Sequence, residues 1–242
     1  MIAFLTSSPC IPNADRALLN PVNEFAERMR VALPDHPDVL FVCSHPDSYE
    51  LTDRFARDMY DAFGEAGMPF GSYTVLDSRT EERAAELVRS SDFIILAGGH
   101  VPTQNAYLQK INLRGLMMDY QGVVMGISAG SMNAARVVYA QPEMEGESVD
   151  LNYQRWLAGL GLTQTMLLPH YQQVKDWMLD GRRLFEDITY TDSVGHAFYA
   201  MVDGTYLYIE NGAETMMGEC YRISDGQITQ VCKESEKLPI KP

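Results

Sequence analysis

Five short apolar runs, separated by charged segments of helical pattern, constrain this chain more than any other feature. The runs IAFLTS (2–7), DVLFVCS (38–44), FGSYTVLD (70–77), DFIILAGG (92–99) and GVVMGIS (122–128) are rich in β-branched and aromatic residues and bounded by turn formers, so they read as five strands. Between them, SYELTDRFARDMYDAFGEAG (48–67) and TEERAAELVRSS (80–91) repeat apolar residues three and four apart amid charges, the pattern of a helix covering a sheet. Such alternation implies an α/β fold of three αβα layers, a mostly parallel sheet with right-handed crossovers and helices on both faces. Beyond residue 195 the pattern changes to HAFYAMVDGTYLYIENG and ECYRISDGQITQVC, with turn signals at Asp203-Gly204, Asn211-Gly212 and Asp225-Gly226. These predict antiparallel strands at the sheet's edge. No repeat, linker or charge block divides the chain, so residues 1–242 are expected to form one domain.

Charge and cysteine usage exclude several functions. Nineteen basic against 33 acidic residues leave a net charge of −14, and no basic cluster offsets it. A phosphate backbone or an anionic membrane would be repelled, so neither is an expected partner. The four cysteines are scattered without a C-x-x-C pair, which fits reduced thiols in a cytoplasmic protein better than disulfides or a zinc site. No metal or cofactor is expected. The N-terminus has no basic stretch ahead of a long apolar run, and nowhere do ~18 apolar residues follow one another. A soluble protein is expected.

In a parallel sheet, chemistry gathers where the strands end and helices begin. Two of the runs finish on small residues at that rim. Gly98 and Gly99 close the fourth, letting backbone N–H groups come near a ligand. The fifth continues as VVMGISAGSMNAA (123–135), in which Ser128 is either a helix cap or a nucleophile held out of the sheet on a strained strand-to-helix turn. A nucleophilic serine needs a base, and the chain has five histidines. His170 closes TMLLPHY, a strand-like run, and so sits on the rim. His45 and His100 also follow strands and remain rivals for that role; His196 precedes a strand and His36 lies in a Pro-rich loop.

FIILAGGHVPTQNAYLQKINLRGLM, GVVMGISAGSMNAA, LLPHY and AMVDGTYLYIENG together resemble the peptidase E family of serine peptidases, relatives of cyanophycinase on a class I glutamine amidotransferase-like scaffold. The likeness spans roughly residues 90 to 226. It implies a catalytic triad of Ser128, His170 and Asp203, with the oxyanion held by the backbone N–H groups of Ala129 and Gly99. Glu143, in a position where family members often carry a carboxylate, is a rival acid or a contact for a substrate amine. Two departures stand out: the family commonly has Gly-Gly-Asn where this chain has Gly98-Gly99-His100, and usually glutamate where it has Asp203. The resemblance implies hydrolysis of dipeptides or short peptides near the N-terminus, including Asp-X. An acidic substrate needs a cation, for which Arg114, Arg136, Arg155, Arg182, Arg183 and a charged His100 are the candidates. A homodimer is one option for the assembly. The competing readings are a ligand-binding relative without catalysis and an α/β-hydrolase esterase. The esterase requires the chain order serine, acid, histidine and so pairs His196 with Asp176, Asp187 or Asp192.

Overall fold

A computed structural model describes residues 1–12 and 14–240. The five predicted runs form strands β1 (Ile2–Thr6), β2 (Asp38–Val42), β3 (Ser72–Leu76), β4 (Phe93–Leu96) and β5 (Val123–Ile127), each ending within a few residues of its predicted bounds. All neighbouring pairs among them are parallel, in the order β1-β5-β4-β2-β3. Outside β1 the sheet continues with three antiparallel strands, Tyr206–Glu210, Ala213–Met217 and Lys237–Ile240, giving eight in all.

The helices divide between the two faces. Helices α1 (Phe25–Ala32) and α2 (Tyr49–Glu65) bury Phe25, Met29, Met59 and Phe63 against Phe4, Phe41, Phe93 and Met125. On the opposite face, α3 (Ala84–Ser90) and α4 (Val101–Lys110) place Leu87, Val88, Tyr107 and Leu108 over Leu5, Leu40, Ile94 and Val124. Strands β1, β2, β4 and β5 are therefore apolar on both faces, as a covered parallel sheet requires. The three-layer arrangement follows directly from the alternation in sequence.

The C-terminal tail divides between two sheets. Asn211-Gly212 and Asp225-Gly226 make two-residue hairpin turns with positive φ at both positions, the geometry that suits strand twist. Asp203-Gly204 does something else. The strand before it, Ala197–Met201, belongs to a separate four-stranded sheet with Met166–Leu168, Cys220–Ser224 and Gln227–Cys232. The strand after it, Tyr206–Glu210, lies in the main sheet. The chain crosses from one sheet to the other at Asp203, beside the carboxyl ends of the parallel strands. Among the described residues no helix is long and apolar enough to cross a membrane.

Candidate active site

Ser128 follows β5 and precedes the short helix α6 (Ala129–Asn133) at φ 50° and ψ −110°, a conformation that costs a non-glycine residue of order 1–3 kcal/mol. The neighbours fix it there. Its N–H donates to the Thr6 carbonyl at 3.1 Å, and its carbonyl accepts from the Ser131 and Met132 N–H groups at 2.9 and 3.0 Å. A Cβ on Gly126 would come within 2.8 Å of the Ser131 Cα, and one on Gly130 would collide with the Leu96 carbonyl. The Gly-x-Ser-x-Gly spacing is thus a packing requirement of the sharp turn between β5 and α6. β5 lies between β1 and β4, whose following helices, α1 and α4, cover opposite faces of the sheet. Ser128 therefore stands in the crevice where the connections part.

His170 follows the Met166–Leu168 strand, which belongs to the smaller sheet and not to the main one. Its Nδ1 lies 2.7 Å from Asp203 Oδ1. An ionised carboxylate only accepts, so the proton of that bond sits on Nδ1 and Nε2 is left with a lone pair, the tautomer a general base needs. The Asp203 side chain is 4% exposed against 31% for His170, so the acid is enclosed while the ring has an open edge. Burial alone would raise the Asp203 carboxyl, but hydrogen bonds from His170 and Ser7 and the charge of His170 outweigh it and hold it below the ordinary carboxylate value. Its other oxygen accepts from Gln173 Nε2 at 2.6 Å.

Ser7, directly after β1, ties this pair to the main sheet. The residue is fully buried. Its hydroxyl accepts from the His170 backbone N–H at 2.8 Å and donates to Asp203 Oδ1 at 2.7 Å. Neither Ser7 nor Gln173 figures in the sequence reading. A serine just past the end of a strand, on the same rim as Ser128, was the one available signal for the former.

Ser128 and His170 line one cleft of about 130 Å³, together with Gly99, Val101, Met132, Gln141, Glu143, Pro169, Gln173, Val174, Trp177 and Leu184. Among the described residues no hydrogen bond joins Ser128 Oγ to the ring, and the N–H groups of Ala129 and Gly99 make none. Gly99 has φ 151°, and a Cβ there would strike the Ser44 hydroxyl. Glu143 accepts from the Val101 N–H at 3.1 Å. Crowding of its carboxyl by the surrounding protein raises its pKa, with the Glu147 charge adding to the rise.

The other candidates lie elsewhere. His100 stands at the residue before α4 but does not line the cleft; its ring nitrogens are taken by Thr103 Oγ1 and Glu147 Oε1, both at 2.7 Å. Glu147 in turn accepts the N–H groups of Glu143 and Met144 at 2.9 and 3.0 Å, so His100 anchors the loop that carries Glu143. His45 bonds Ser44 Oγ at 3.0 Å, and burial lowers its pKa. The His196 ring packs at a tilt against Trp156, centroids 4.2 Å apart, while Asp192 is held by Tyr139 and Arg155 and Asp187 by Arg183. Among the described residues no hydrogen bond or ion pair joins His196 to Asp176, Asp187 or Asp192, so the acid–histidine pair of an esterase is not formed there. None of Arg114, Arg136, Arg155, Arg182 and Arg183 lines the cleft, and its lining includes no lysine or arginine.

Comparison with known proteins agrees with this architecture. The model of peptidase family S51 matches residues 14–217. Sixteen chains of solved structures match. One is the crystal structure of a protein from Listeria monocytogenes EGD-e provisionally named peptidase E; it is 16% identical, with a TM-score of 0.59 over 95% of this chain and 98% of that one. No curated protein matches the sequence.

Proposed function

The chain belongs to peptidase family S51, the peptidase E family of serine peptidases, and from that premise we propose that it hydrolyses dipeptides and short peptides near their N-terminus with Ser128, His170 and Asp203 as its triad. Ser128 Oγ attacks the scissile carbonyl while His170 Nε2 takes its proton. Asp203 keeps the ring in the required tautomer and stabilises the imidazolium that forms. The negative charge on the tetrahedral oxygen is met by the N–H groups of Ala129 and Gly99, the first of them at a helix start where donors have no helical partner. His170 then protonates the departing amine, and water, activated by the same ring, releases the acyl group. Glu143 has the charge and position to pair with the substrate's N-terminal ammonium.

The observation that carries this reading is a hydrogen-bonded His170–Asp203 pair bordering the same cleft as a strained Ser128. It favours Asp203 over Glu143 as the acid, because Glu143 hydrogen-bonds the Val101 amide and not the ring. The shorter aspartate reaches the ring because the crossover between sheets brings its backbone close. The test is labelling with a fluorophosphonate probe alongside dipeptide hydrolysis. Ser128→Ala and His170→Ala should lose both, and His196→Ala should keep both, with thermal transitions close to that of the parent. Labelling that survives His170→Ala but not His196→Ala would overturn the assignment.

A further inference from the structure

We infer that the cleft selects peptides whose N-terminal residue carries an apolar side chain and turns away those that begin with aspartate; this rests on the peptidase reading above and adds the substrate class to it. Apart from the reacting groups, much of the wall is apolar: Val101, Met132, Val174, Trp177 and Leu184. Val101, Met132 and Leu184 are at most 7% exposed, so their positions are fixed by packing. Trp177 is 49% exposed and offers uncovered apolar surface at the mouth.

The charges point the same way. The ionisable side chains lining the cleft are Glu143 and His170. His170 must begin the reaction unprotonated to act as a base, so it cannot be the counter-ion of a substrate carboxylate. Glu143 attracts the ammonium that every free N-terminus carries but repels a second carboxylate beside it. An aspartyl side chain entering this space would lose water, gain no cation and face a like charge, each of which disfavours its ionised form. The arginines that might have met it are engaged or placed elsewhere: Arg155 pairs with Asp192 and Arg183 with Asp187, and Arg182 borders a separate surface hollow with Arg155. At about 130 Å³ the space suits one side chain, well below the roughly 300–1,000 Å³ of sites that enclose larger ligands.

The experiment compares kcat/KM for Leu-Ala, Met-Ala and Asp-Ala at neutral pH in the parent, Trp177→Ala and Trp177→Arg proteins, with fluorophosphonate labelling measured on each. The parent should favour Leu-Ala and Met-Ala over Asp-Ala by at least about tenfold. Trp177→Ala should lower turnover of the apolar pair by on the order of tenfold, the effect of re-exposing some tens of Å² of apolar surface. Trp177→Arg should narrow or invert the preference. Asp-Ala cleaved as fast as Leu-Ala by a protein that labels at Ser128 would overturn the apolar selection and leave the peptidase reading standing. Absence of both labelling and cleavage would overturn both.

Discussion

Replacing Ser7 by alanine should slow the reaction while leaving substrate binding almost unchanged, although Ser7 does not line the cleft. Its hydroxyl is one of three side-chain donors to the Asp203 carboxylate, beside His170 and Gln173, and it accepts the His170 backbone N–H. Removing it takes one charge-assisted bond from Asp203, about 1.5–3 kcal/mol, and leaves a buried N–H unpaired, about 1–3 kcal/mol. Part of this falls on the fold, so a stability loss of ~2–4 kcal/mol is expected. The remainder falls on the ring: with two of its three donors left, Asp203 still selects the tautomer, and kcat should drop on the order of tenfold, against up to ~10⁴-fold for Asp203→Asn. The diagnostic readout is the pH profile. Because the Ser7 bond helps hold the Asp203 carboxyl below its ordinary value, its loss raises that value. The acid limb of kcat therefore moves to higher pH. Stability follows the same sign: a depressed folded pKa contributes stability above the ordinary carboxylate range, lost as pH falls through the folded value, and in the variant that contribution is smaller and its loss is complete at a higher pH. Steady-state kinetics from pH 4 to 8, run well below the thermal transition, would measure it. A variant with lowered stability but unchanged kcat and an unmoved acid limb would show that Ser7 supports only the fold.

Asp203→Asn should reduce kcat far more than Glu143→Gln, whereas Glu143→Gln should act chiefly on KM for substrates with a free ammonium; the opposite split, read from kcat and KM on one dipeptide, would make Glu143 the acid. Iodoacetamide should leave activity untouched. Burial pushes the Cys10 thiol up to about 11 and Cys43 to about 12, so the thiolate fraction at neutral pH is very small; alkylation of the native protein found by mass spectrometry, accompanied by inactivation, would contradict this.

The parallel core was legible because each of its strands is an apolar run closed by turn formers, and the elbow because Gly126 and Gly130 flank a serine between a strand and a helix. His170 and Asp203 were reached through motif resemblance, and the structure brings the two together. Partners of strands are harder to read than strands. Nothing in HAFYAMVDGTYLYIENG says that the residues before Asp203 and those after it enter different sheets, since both halves alternate alike. Ser7 was missed for a related reason: its two partners lie 163 and 196 residues away, beyond any local pattern. Which arginine candidates stand near the cleft was not legible either, because a list of arginines says nothing of which ones a neighbouring aspartate has already claimed, as Asp192 claims Arg155 and Asp187 claims Arg183.

The crossing at Asp203 also bears on the order in which the proposed triad is assembled. A chain emerging from the ribosome has made β1 to β5 and the Ser128 turn long before residue 203, so the proposed nucleophile precedes both the histidine and the carboxylate proposed to serve it. Closing the gap between Ser7 and Asp203 means joining segments 196 residues apart, the kind of long-range pairing that forms slowly. Under the proposed triad, hydrolysis is therefore expected only once the chain has passed residue 203 and that long-range contact has closed.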